Sequence, residues 1–285
     1  MFEIYLENEN QEKIEFNQPG GDFTISEIDG LYPSTAIINT DTTALLDGSR
    51  FNSSKVAAKE ILFAFAIEKN AAENRVKIYR VIQPKKPITL YYKSETRDVF
   101  IPGYVEELNI SHFAMKQIAT MRMLCPFPFF RAAQETINQI RNIKPKFHFP
   151  FASTEEPELL MGEIDVISSI TIENDGAMET GMIFELYATG EIVHPKIYNY
   201  ITREFFGLNF TMQAGDLITI NTSQGNKTVK LLRSAETINI FNYVENGSTW
   251  LQLPSAGGVF IYTIDSGQQT NLEITIRHFN TYEGV

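Results

Sequence analysis

Four histidines, 35 acidic residues and one cysteine bound the chemistry open to this chain of 285 residues. His112, His148, His194 and His278 are scattered, and none stands at a metal-ligand motif spacing from another His, Cys or acid. No zinc site is written into the sequence. Carboxylates could work as the acid and base of a glycosidase, with Glu106 and Glu107 or Asp165 and Glu173 as pairs. Adjacent residues on a strand point to opposite faces, which separates Glu106 from Glu107. Asp165 and Glu173 fall on the polar face of an alternating strand, where solvated charge is the ordinary reading. The chain has no G-x-S-x-G elbow, no G-x-x-x-x-G-K-[ST] loop and no G-x-G-x-x-G turn, so nucleotide and hydrolase classes lack their usual motifs. No catalytic, cofactor-binding or metal-binding residue is assigned, no cofactor is implied, and the chain is read as a non-enzyme.

Two further side chains could bind or react. Cys125 ends an alternation of Phe113, Met115, Gln117, Ala119, Met121, Met123 and Cys125 against Lys116, Thr120 and Arg122. That period places it on the buried face of a strand as an inert core thiol, with no basic cluster nearby to activate it. Trp250, the lone tryptophan, shares a strand face with Gln252 opposite Leu251 and Leu253. A tryptophan on a sandwich can stack on sugar, as could Tyr198 or Tyr200 in a groove, but packing in a core or interface is its commoner fate.

The elements that would position these residues divide into two rhythms. In the first half, Ile61–Ile67 is apolar on both faces and predicts a central strand. Asn70 followed by Glu73 suggests a capping box, and Val76, Ile78, Tyr79, Val81 and Ile82 suggest a helix over about 71 to 83, stopped by Pro84. Strands are expected at 88–92 and 99–110, with a bend or bulge at Pro102-Gly103. Shorter strands are expected within 1–16, at 23–28 and at 35–40, and residues 131–140 fit helix or strand. The run Pro145 to Pro150 and the acidic Thr154–Glu158 segment mark a joint, giving domains 1–150 and 151–285. In the second half, turn signals recur at Gly176, Gly190, Gly215, Gly225, Gly247 and Gly267 between short β-branched or aromatic runs, the mark of an antiparallel sandwich. A short helix is expected only within 235–245.

Composition narrows the partners. A formal net charge of -11, with no basic run to offset it, repels phosphate backbones and argues against nucleic acid. No stretch reaches the length of apolar residues that a spanning helix needs. The start, Met1–Glu7, has no basic n-region or apolar h-region, which predicts synthesis and retention in a cytoplasm.

The segment Gly103-Tyr104-Val105 through Cys125-Pro126-Phe127-Pro128-Phe129-Phe130 resembles the first domain of phage distal tail (Dit) proteins, the baseplate hub family of long-tailed phages. In the second half, Gly176 and Gly181, Thr189-Gly190 with Pro195, Gly215-Asp216, Gly225 with Lys227, Trp250 with Leu253, Gly257-Gly258, and Phe260 with Tyr262 are similar, in order, to markers of that family's galectin-like domain. Two departures stand out: Pro254–Gly258 replaces a tighter Gly-x-Asn turn, and the long insertions that carry carbohydrate-binding modules in some members are missing. The resemblance implies a mainly β protein, with a β-rich, split-barrel-like tube-forming domain followed by a galectin-like β-sandwich. It implies a hexameric ring of this chain joining the tail tube to the hub. Its partners would be copies of itself, the major tail tube protein, the tail-associated hub protein and receptor-binding proteins, with no nucleic acid and no membrane. The ring would be incorporated into a virion or tail-like particle, and a carbohydrate-binding sandwich contacting the host surface is the alternative.

Overall fold

The computed structural model describes residues 2–42, 47–140, 143–145, 162–164 and 169–285. It forms two compact units, Met1–Gln134 with Thr281–Val285, and Glu135–Asn280. The mainly β, two-domain architecture expected from the sequence is borne out. The expected joint at 145–158 lies almost wholly outside the described residues. In the described part, Thr136–Ile140 pairs with Leu272–His278 of the second unit, and Thr281–Tyr282 pairs with Phe130–Arg131 of the first. Strand pairing therefore carries the chain across between Gln134 and Glu135 and back between Asn280 and Thr281.

The first unit is built on one antiparallel sheet. Its strands run in the spatial order Lys13–Phe16, Glu3–Asn8, Pro87–Lys93, Asp98–Ile110, Gln117–Cys125, Lys59–Ile67 and Phe23–Asp29, with Phe130–Ala132 and Thr281–Tyr282 attached at the side. The end strands approach each other through Phe16 and Phe23, whose ring centroids are 6.2 Å apart, and through the Asn17 amide, which donates to the Phe23 carbonyl at 3.0 Å. Ile61, Phe63, Phe65 and Ile67 point into the core, whereas Leu62 on the other face is exposed. The strand is interior to the sheet, as expected, but only one of its faces is fully covered.

The helix spans Ala71–Val81. Asn70 precedes it in the left-handed region, with φ 43 and ψ 51, and makes no side-chain cap hydrogen bond. This corrects the capping-box expectation: an N-cap side chain reaches the first-turn amides from an extended backbone, and asparagine instead tolerates the left-handed turn. Ile78, Val81 and Ile82 are buried, while Val76 and Tyr79 face solvent, so the apolar stripe is narrower than expected.

Pro102 and Gly103 pair regularly with Thr89 and Ile88, and the bulge falls between Val105 and Glu107. Gly103 has a different role. A Cβ there would lie 2.7 Å from the Leu124 carbonyl oxygen, 2.7 Å from the Met123 methyl and 2.9 Å from the Cys125 sulfur. The glycine allows two backbones to close over Cys125.

Cys125 is buried, and burial pushes its thiol up to about 12. The raised value stabilises the fold below the thiol's unfolded value of about 8.5 and is lost as pH rises through the folded one. Thiol-reactive dye at about pH 8 should leave the folded chain unlabelled and label one site after denaturation, since only an exposed thiolate reacts. Rapid labelling of the native chain would contradict this burial.

The second unit is a sandwich. One sheet orders Thr136–Ile140, Leu272–His278, Thr180–Ala188, Leu217–Asn221, Thr228–Arg233 and Glu236–Asn239; the other orders Ser169–Ile172, Gly258–Thr263, Lys196–Asn199 and Phe205–Gly207. Residues from both sheets share one core, where the Phe184 and Phe260 rings meet edge-on at 6.0 Å. The short helix expected within 235–245 is a 3-10 turn at Phe241–Tyr243. Residues 131–140 are resolved as the strands Phe130–Ala132 and Thr136–Ile140.

Candidate assembly interface

The residues weighed for chemistry do not converge. Glu106 is the extra residue of the bulge, and because a bulge breaks alternation, Glu106 and Glu107 are both exposed. Their separation onto opposite faces, expected from strict alternation, is thereby corrected. Glu173 is exposed, while Asp165 and His148 lie outside the described residues. His112 meets the Tyr79 hydroxyl at 2.9 Å, and His278 is buried, which pulls its imidazole below the ordinary value. His194 sits between Asp265, at 2.6 Å from Nδ1, and Glu245, at 3.2 Å from Nε2; Lys196 Nζ is 2.9 Å from the same Glu245. This network ties three loops of the sandwich together. Among the described residues, no group of three or more His, Cys, Asp or Glu side chains is placed to hold a metal.

Trp250 is half-buried against the second core. Phe241 stacks on it at 6.0 Å, Phe206 packs at 5.1 Å, and Lys227 Nζ lies 5.6 Å from its centroid. Its own domain packs both rings and a cation against the indole and leaves it half-buried.

The first unit presents the larger unsatisfied surfaces. Ala36–Asp41 and Arg50–Val56 form a two-stranded antiparallel sheet that joins no other sheet among the described residues. Ile37 and Ile38 are neighbours in the strand and so point to opposite faces. Ile38 is 62% exposed and Phe51 61%. Each face of this sheet thus carries exposed apolar side chains among its polar ones, and an isolated pair of strands is marginal in water. A second apolar projection caps the hairpin of Asp98–Ile110 and Gln117–Cys125, where Phe113 and Met115 are fully exposed. The alternation expected from Phe113 onward starts only with Ala119, because residues 111–116 form the tip. That tip is seated by an ion pair of Lys116 with Glu68 at 3.0 Å and by Arg75, which donates to Gln117 at 3.0 Å.

The proline and phenylalanine cluster is divided. Phe130 is 0% exposed within the first core, while Phe127 and Phe129 are half-buried and meet edge-on at 5.3 Å. Above Phe130 lies a residue that the sequence reading passed over. Lys59 is buried, and its ammonium donates to the carbonyls of Gly30 at 3.3 Å, Tyr32 at 2.5 Å and Glu283 at 3.3 Å. Burial lowers its pKa. The signal was present: Lys59 is in phase with Ile61, Phe63 and Phe65, so period two already placed it on the core face.

Comparison with known proteins gives a consistent result. Residues 175–282 match the family described as siphovirus-type tail component, C-terminal domain. No curated protein matches the sequence. Among solved structures, the chain is similar to the Dit protein of phage SPP1, described as a paradigm of the hub adsorption apparatus in Gram-positive infecting phages. Identity is 11%, coverage is 96% of this chain and 98% of that one, and the TM-score is 0.68. It is also similar to a chain of the phage P2 baseplate in its activated conformation with Ca, at 12% identity, 97% and 98% coverage and a TM-score of 0.57. At such identities the structural likeness shows the fold.

Proposed function

We propose that this chain is a distal tail protein with a structural role in a phage tail baseplate, and that it closes a homohexameric ring between tail tube and hub. The first unit continues the tube wall. The second projects outward and holds other baseplate proteins. Its neighbours are the major tail tube protein above, the tail-associated hub protein below, and receptor-binding proteins at the periphery. The particle is a virion or a tail-like relative, assembled in the host cytoplasm, and the chain itself is not an enzyme.

The two-stranded sheet of Ala36–Asp41 with Arg50–Val56 carries the reading. Its apolar residues lack cover within their own unit, and a neighbouring copy would supply it. Contacts between two different patches of identical chains generate a ring when the rotation closes.

The test is Ile38→Asp combined with Phe51→Asp. Surface substitutions of this kind leave folding nearly unchanged, so the melting temperature should stay within a few degrees. Mass photometry should show six-membered rings for the parent chain and monomers for the variant. A parent chain that stayed monomeric at high concentration and formed no ring in assembled particles would refute the proposal.

A further inference from the structure

The second unit holds a built but unused surface at the turn between Lys196–Asn199 and Phe205–Gly207. The turn is stiff. Asn199, itself buried, accepts the Ile201 amide at 3.0 Å and the Thr202 amide at 3.3 Å through Oδ1. The Arg203 amide donates to the Asn199 carbonyl at 2.9 Å, and the Tyr200 amide donates to the Val259 carbonyl at 2.8 Å. Arg203 takes a left-handed backbone, φ 61, which fixes the direction its side chain leaves the turn. Despite this anchoring, Tyr200 is 70% exposed and Ile201 63%.

Beside the turn is an open groove of about 600 Å³, lined by Tyr198, Asn199, Tyr200, Ile201, Arg203 and Ile261. That volume is within the range of small-molecule sites. Tyr198 is backed by the Phe205 ring at 5.8 Å, so its orientation is set without a ligand. Arg203 is exposed and, among the described residues, makes no ion pair. The groove therefore combines aromatic faces, which pack on the apolar faces of pyranose rings, with a cation free to meet an anion. Its lining carries one cation and no carboxylate, so it is locally positive on a chain whose net charge of -11 repels polyanions elsewhere.

We propose that this groove binds an anionic saccharide, with Tyr198 and Tyr200 against sugar rings and Arg203 against a carboxylate or phosphate on the same chain. The fixed turn lowers the ordering cost of such a contact. Although the chain lacks inserted carbohydrate modules, the sandwich would then touch envelope polysaccharide directly. This proposal stands independently of the ring.

The experiment is an array bearing hyaluronan oligosaccharides as the carboxylate arm, glycerol-phosphate teichoic acid as the phosphate arm and maltohexaose as the neutral control, probed with the full chain. Binding to at least one anionic arm above maltohexaose is expected. Tyr200→Ala and Arg203→Gln should each weaken it by about tenfold, and added salt should weaken the parent far more than Arg203→Gln. Trp250→Phe should bind like the parent. The proposal is overturned if neither anionic arm binds above maltohexaose, or if Trp250→Phe loses binding while Tyr200→Ala keeps it. It is equally overturned if Tyr200→Ala and Arg203→Gln disturb only assembly with other tail proteins, which would make this turn a protein contact.

Discussion

Phe130→Ala should destabilise the first unit by ~3–5 kcal/mol, the range for removing a fully buried phenylalanine from a packed core. Phe130 is 0% exposed and sits in the same cluster as Val99, Ile101 and Cys125, with Lys59 Nζ 5.3 Å from its ring centroid. The loss includes more than transfer energy, because the cavity would open beneath a buried ammonium that already has only carbonyl partners. At about 3–4 °C per kcal/mol for a unit of this size, the first unit's transition should fall by roughly 10–20 °C. Phe127→Ala and Phe129→Ala should cost much less, since both rings are half-buried and Phe127 packs mainly against Phe129 and the Arg131 guanidinium, 4.9 Å away. Calorimetry with hydrogen exchange resolved by unit would check the order. A Phe130→Ala chain that kept its melting temperature but no longer formed rings would move this ring from the core to the subunit interface.

The same segment shows how far sequence could be read. Proline at 126 and 128 excludes a regular strand there, and the strand begins only at Phe130. Alternation found Met121, Met123 and Cys125 because one covered face writes itself into period two. It missed the tip at Phe113 and Met115, because exposed apolar residues preserve the pattern of buried ones. The bulge was misplaced for a related reason: Pro102-Gly103 is the usual local cue, yet Gly103 is there for close approach to Leu124 and Cys125, a contact between residues distant in sequence. The groove at Tyr198 and Tyr200 was legible only as residue types. Their exposure depends on how Asn199 ties the turn, which no local signal states. Proline and acid content suggest the position of a joint but carry no record of which strands pair, such as Thr281–Tyr282 with Phe130–Arg131.

Removing Thr281–Val285 should unfold the first unit preferentially, although these residues follow the second unit in sequence. Thr281 and Tyr282 add a strand to Phe130–Arg131, and Arg97 stacks over the Tyr282 ring at 4.1 Å. The Glu283 carbonyl is one of three acceptors for the buried Lys59, and the Val285 amide donates to the Leu31 carbonyl at 3.1 Å. Deletion strips a ladder, uncovers Phe130 and withdraws a partner from an ammonium that has little water to replace it. A net hydrogen bond is worth ~1 kcal/mol, and leaving a buried charged donor short costs more, so the combined loss should exceed ~4 kcal/mol. Hydrogen exchange should show protection lost along Lys59–Ile67 and Phe130–Ala132, with Thr180–Ala188 and Leu217–Asn221 still protected. The sign of the Lys59 contribution provides a second check. Its lowered pKa means that the unfolded chain binds the proton more tightly, so this residue makes stability rise with pH between the folded value and the unfolded value of about 10.4. Lys59→Met should remove that rise. If the shortened chain kept full protection in both units, the returning strand would be an ornament of the fold and the first unit would be complete without it.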